Sequence, residues 1–171
     1  DTEKSLQGDF LGTEVRGKAD VVLSRGTEHA ILDLKWRGAR RRENLVRNEA
    51  DLQLVMYSRL LEPLDCWAHT AFFIIQDGLL IARNQMALRE ARAVSADADH
   101  IEINERIWAK MQATFRWRIQ QLQEGKIEVR TTTTLPDIEE SYAQEDWLEL
   151  LELPSEEAYF DDYRTLINLV D

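Results

Sequence analysis

Cysteine is almost absent from this chain. Cys66 is the only one among 171 residues, so no intrachain disulfide can form, which fits a reducing cytoplasm. There is no unbroken apolar run of about eighteen residues, the length a membrane helix needs, and no charged-then-apolar leader of the signal-peptide kind. Neither membrane insertion nor export is expected, and the location expected is cytoplasmic. Histidine is scarce too. His29, His69 and His100 stand singly without zinc spacing, and are expected at a turn, in a strand and at a helix start.

Negative charge is abundant but confined to one segment. The net charge is -11, which at first sight opposes a nucleic-acid partner. Residues 1–130, however, carry 20 basic and 20 acidic side chains, whereas residues 131–171 carry 1 and 12, so the whole excess lies in the tail. The neutral body also holds a basic cluster, Arg37, Arg40, Arg41, Arg42 and Arg47. Such arginines can hold backbone phosphates without reading sequence. A solvated loop between strand and helix is the other use of the same residues.

The strongest pattern lies just before that cluster. Gly17-Lys18-Ala19-Asp20-Val21-Val22-Leu23, a turn-like Ser24-Arg25-Gly26-Thr27, and Ala30-Ile31-Leu32-Asp33-Leu34-Lys35-Trp36 predict a β-hairpin. Alternation puts Asp33 and Lys35 on one face of the second strand and Leu32, Leu34 and Trp36 on the other. Two charged groups thus project from an apolar, core-like strand, where an unpaired charge is costly to bury. A metal with a phosphate could compensate them, and so could a cross-strand ion pair between Asp20 or Asp33 and Lys35. From Glu43 to Leu61, Leu45, Leu52, Met56 and Leu60 recur at helical spacing until Pro63, with Glu49, Gln53 and Tyr57 along a neighbouring stripe.

Gly17-x-x-Asp20, Asp33-x-Lys35 and Gln53-Leu54-x-x-Tyr57, in that order, resemble the RecB-like branch of the PD-(D/E)XK nuclease superfamily. The resemblance covers about residues 14–61, a quarter to a third of the chain. It implies a metal-dependent deoxyribonuclease, exo- or endonuclease undetermined, acting in DNA repair, recombination or processing. Asp20 and Asp33 would be ligands to Mg2+ or Mn2+, with the Leu34 carbonyl as a third oxygen, consistent with the preference of these hard cations for oxygen donors. Lys35 would orient the attacking water and stabilise charge in the transition state. Gln53 and Tyr57 would support the site or touch DNA, and Arg37, Arg40, Arg41 and Arg42 would hold its backbone. DNA is the partner implied, together with an upstream helicase or other repair domain in the parent protein.

Two departures from the family pattern stand out. Many relatives carry a further His or Glu on a helix well before the first strand. Only about a dozen residues precede Glu14 here, with Glu3 and Glu14 as candidate substitutes, and a chain that opens without Met reads as a fragment whose first helix lies upstream. Some relatives hold an iron-sulfur cluster through four cysteines, which Cys66 alone rules out within this chain.

Further along, Ala68 to Ile75 and Leu79 to Arg83 predict a second hairpin around Gln76-Asp77-Gly78. Residues 84–98 read as a connection with helical character, and about Asp99 to Gln123 as a helix ending near Gly125. Trp108 and Trp117 on it are expected to pack between helices rather than stack on bases. The fold class expected is α/β, a mixed central sheet with helices on both faces, the restriction-endonuclease-like α/β/α core. That core would span residues 1–130. Residues 131–171 would be an acidic extension whose Trp147, Tyr159, Phe160, Tyr163 and leucines pack on the core or on a partner. Two other classes remain open: a catalytically inactive nuclease fold kept as a binding module, and an interaction domain whose acidic tail docks on a basic partner or occupies the DNA groove.

Overall fold

A computed structural model describes residues 1–62, 66–95 and 99–125. Six strands, β1 (Thr2–Phe10), β2 (Thr13–Arg25), β3 (Glu28–Lys35), β4 (His69–Ile74), β5 (Leu79–Ala82) and β6 (Arg92–Ala93), form one sheet in sequence order. The pairs β1–β2, β2–β3 and β4–β5 are antiparallel, whereas β3–β4 and β5–β6 are parallel. A parallel pair cannot be closed by a tight turn and needs a crossover. Two helices, α1 (Ala39–Arg47) and α2 (Leu52–Leu61), supply it between β3 and β4, and α3 (His100–Gln123) follows the sheet. The architecture is therefore α/β, a mixed sheet flanked by helices.

Both expected hairpins form. Their turns fall at Gly26 and Gly78, each with positive φ, 63° and 58°, a conformation that glycine adopts without steric cost. α3 runs where the spacing of Ile103 and Ile107 places it, with both side chains buried. In residues 84–95 the structure holds the short strand β6 and no helix, unlike the helical character expected there. β1 was not anticipated: only Leu6 and Phe10 of its nine residues are buried, too few to stand out as an alternating pattern.

The core on the helix side of the sheet joins Leu6, Ala19, Val22, Ile31 and Ala68 to Tyr57, Leu60 and Leu61 of α2. A second cluster joins Val46 of α1 and Leu54 of α2 to Phe72, Ile74 and Ile81. Each fully buried Ile or Leu here contributes about 1.5–3 kcal/mol through removal from water. On the opposite face Ala71, Ala82 and Ala91 pack with Leu32, Leu80 and Leu88. Trp108 of α3 meets Phe10 of β1 and Trp67, just before β4, edge-on, with ring centroids 4.9 and 6.1 Å apart, so its ring partners lie on a strand and a loop rather than on another helix.

Residues Asp1–Ala109 form one compact unit and Lys110–Asp171 a second. In the described part of the second, Arg118 lies 4.5 Å over the Trp117 ring. The acidic segment 131–171, with its expected packing, lies outside the described residues. Among those residues no helix is long and apolar enough to cross a membrane.

Candidate metal and DNA site

Alternation along β3 gives the two faces expected, and the face that bears Asp33 is the covered one. Ile31 and Asp33 are buried, at 0% and 3% exposure, whereas Leu34 is 36% and Trp36 67% exposed. The carboxylate therefore lies on the face that α2 covers, and the apolar Leu34 and Trp36 point outward. Lys35 Nζ lies 2.7 Å from Asp33 Oδ2. This is an ion pair without hydrogen-bond geometry, so Oδ2 is buried with no hydrogen-bond donor. A buried carboxylate left in that condition is costly unless another positive group reaches it.

Asp20 is brought to Asp33 by an irregularity in β2. Lys4↔Ala19 and Thr2↔Val21 pair across the first hairpin, but Asp20 between them does not, and Glu3 opposite has φ 53°. Pairing with β3 begins only at Val21↔Leu32. Ala19 and Val22 are both buried, so the inward phase of β2 slips by one residue between them, as at a bulge. At this slip Asp20 Oδ2 accepts the Leu34 N–H at 2.8 Å. The side chain takes a donor at the end of the backbone ladder, and Asp20 reaches the Asp33–Leu34 peptide. Asp20, Asp33, Leu34 and Lys35 thus meet at one end of β3.

The helix expected from Glu43 to Leu61 is in fact two. It breaks at residues 48–51, where Glu49 has φ 55°. Asp51 turns inward there and receives both a 2.7 Å and a 3.0 Å hydrogen bond from Arg83 Nη2, with both side chains almost wholly buried. Burial pushes the Asp51 carboxyl up, against the pull of the Arg83 guanidinium. Glu49 leaves the stripe assigned to it and pairs with Arg106 of α3 at 2.5 and 2.9 Å. No local pattern in the sequence could have shown the break, because its partner lies 32 residues downstream.

Tyr57 packs towards the sheet, whereas Gln53 one turn before it is exposed. Gln53 Nε2 donates to Tyr57 Oη at 3.1 Å, and Tyr57 packs against the cluster containing Ala19 and Ile31, on the Asp33 face. Its ring rests on Gly17: a Cβ there would lie 2.5 Å from Tyr57 Cε1. Glycine at position 17 is therefore a close-approach residue, three positions before Asp20. Gly17→Ala is expected to destabilise the fold by about 1–3 kcal/mol, the scale of overpacking. In a Tyr57→Ala background the same change should cost much less, because the clashing ring is gone. Denaturant unfolding of both pairs tests this, and equal costs would mean that the ring does not define the need for glycine.

Arg42 is the partly buried arginine of α1, and it feels the charge of Asp33. Its guanidinium lies 5.4 Å over the ring of Phe72, the cross-strand neighbour of Asp33, and its Nε is buried without a hydrogen-bond acceptor. Burial lowers its pKa most and adjacent Arg41 adds to this, while Asp33 pulls the other way. Arg37, Arg40 and Arg41 are exposed, and Arg47 bonds Asn44 at 2.9 Å. Of the candidate upstream acids, Glu3 pairs with Lys18 at 2.5 Å and Glu14 with Arg16 at 3.0 Å, at exposed positions. No group of three His, Cys, Asp or Glu converges among the described residues, so Asp20 and Asp33 meet without a third acid.

The histidines take no part in this site. His29 lies in β3, His69 opens β4 and His100 opens α3, the last two stacked with ring centroids 4.1 Å apart. The chain matches no family model, no curated protein and no solved structure.

Proposed function

We propose that this chain is a metal-dependent deoxyribonuclease domain of the PD-(D/E)XK, RecB-like kind, working in the cytoplasm on DNA repair, recombination or processing. The observation that carries the proposal is the convergence of Asp20, Asp33 and Lys35 at the end of β3, fixed by the bond from Leu34 N–H to Asp20 Oδ2. The donor set fits Mg2+ or Mn2+: two carboxylates and the Leu34 carbonyl are hard oxygen ligands, and Asp33 Oδ2 is a buried oxygen without a donor. When bound, such an ion supplies Lewis-acid stabilisation of phosphoryl oxygens and an acidified water.

The chain's own residues do the remainder. Asp20 and Asp33 hold the negative charge that recruits the cation. Lys35, half-buried beside them, orients the attacking water and offsets charge developing on the phosphate. Arg42, with Arg37, Arg40 and Arg41, draws the DNA backbone to this end of the sheet. Gln53 and Tyr57 keep α2 seated beside the site. An upstream helicase or other repair domain of the parent protein is the partner proposed.

One observation favours a second reading, a non-catalytic binding module with this fold. Asp33 and Lys35 already neutralise each other. Cleavage of end-labelled DNA separates the readings. The nuclease reading expects cutting in Mg2+ or Mn2+, none in Ca2+, and none for Asp20→Ala. Purified chain that binds DNA but cuts nothing in either metal would leave the binding module as the function.

A further inference from the structure

Trp36 stands apart from the other described tryptophans. Trp67 is 6% exposed and packs with Trp108, and Trp117 carries Arg118 on its ring. Trp36 is 67% exposed and has no ring or cation partner among the described residues. Its backbone is nonetheless held in place. Ile75 N–H donates to the Lys35 carbonyl at 2.9 Å and Gln76 N–H to the Trp36 carbonyl at 3.0 Å, extending the pairing with β4. The result is a large flat apolar side chain in water on a fixed support, a pattern that marks a binding surface.

The charge that follows it in the chain narrows what such a surface would bind. Arg37, Arg40 and Arg41 follow within five residues and are exposed, and no ion pair among the described residues engages them. An aromatic face flanked by free cations fits an unpaired nucleotide, whose base stacks while its phosphates meet guanidinium groups. We infer that Trp36, with Arg37, Arg40 and Arg41, forms a stacking platform for an unpaired nucleobase, so that the substrate class is single-stranded DNA or a frayed end. The inference rests on the nuclease reading for the identity of the polymer as DNA.

Two geometric points favour the single strand over the duplex. Base faces inside a duplex are already stacked on one another and are closed to an indole. Trp36 is exposed just past the end of β3, whereas Asp33 is buried on the face that α2 covers, so one strand must turn at the end of β3 to touch both. A flexible single strand can make that turn, whereas a stiff duplex must be bent to do so at an energetic cost.

Fluorescence anisotropy of the whole chain in EDTA, where metal-dependent cutting is silent, tests the platform. The probes are oligothymidylate, an abasic oligomer of equal length and charge, and a duplex. Wild type should prefer oligothymidylate to the abasic strand by about tenfold, the effect of one stacked base, and to the duplex as well. Trp36→Ala should lose that preference with abasic affinity unchanged, and Trp36→Phe should keep most of it. Equal affinity of wild type for the base-bearing and abasic strands, absence of binding, or a preference surviving in Trp36→Ala would each overturn the platform. Cutting in Mg2+ without a base preference would sink this inference alone. A base preference without cutting would sink only the nuclease reading.

Discussion

Asp33→Asn is expected to end DNA cleavage while leaving the fold as stable as before or more so. The side chain is 3% exposed, and its Oδ2 has an ion-pair neighbour but no hydrogen-bond donor. Removing its charge relieves a desolvation penalty, and Lys35, with 28% of its side chain exposed, can turn to water. Activity and stability therefore move in opposite directions, the signature of a strained functional group. Lys35→Ala should retain cation binding but slow turnover by about 10²–10³-fold, the scale for one lost electrostatic donor to a transition state. Thermal melts and single-turnover cleavage measured on the same preparations check both. A Tm that falls in Asp33→Asn while cutting continues would identify the pair as a structural ion pair.

The largest effect on stability is expected at Asp51 and Arg83. Arg83 Nη2 binds both carboxylate oxygens, at 3.0 and 2.7 Å, and Nη1 reaches the Val46 carbonyl at 3.4 Å. Arg83→Met or Asp51→Ala alone leaves one charge buried and unpaired, a loss of about 3–5 kcal/mol. The double variant should recover much of it, because an apolar replacement of both partners restores no orphan. Urea unfolding of the four proteins measures the coupling. Single-variant losses below about 1 kcal/mol, the range of a surface pair, would show that the pair does not hold the α1–α2 break.

What could be read from the sequence follows the reach of each interaction. The two hairpins and α3 are local: alternation, a glycine turn and a three-to-four spacing lie within a few residues of one another, and each appears where expected. The site core was legible for the same reason, since Asp20 and Asp33 lie on adjacent strands of one hairpin. The cover of the sheet was not. Alternation divides Leu34 and Trp36 from Asp33 but carries no information on which face receives a helix, and the face bearing the charge proved to be the covered one. The break before α2 depends on Arg83, and the depth of Arg42 on Phe72, both contacts between residues far apart in the chain. The phase slip at Asp20 left a trace, because Ala19-Asp20-Val21-Val22 cannot place both Ala19 and Val22 inward under strict alternation.

The bond from Leu34 N–H to Asp20 Oδ2 makes one backbone amide a sentinel for the site. Its donor lies just past the last pair of the β2–β3 ladder, and its acceptor is a lone pair that an arriving cation would also claim. Any charge drawn off that oxygen weakens the grip on the amide. The exchange rate of a single hydrogen with solvent deuterium is thereby tied to events at the carboxylates, and the strand end loosens or tightens with them.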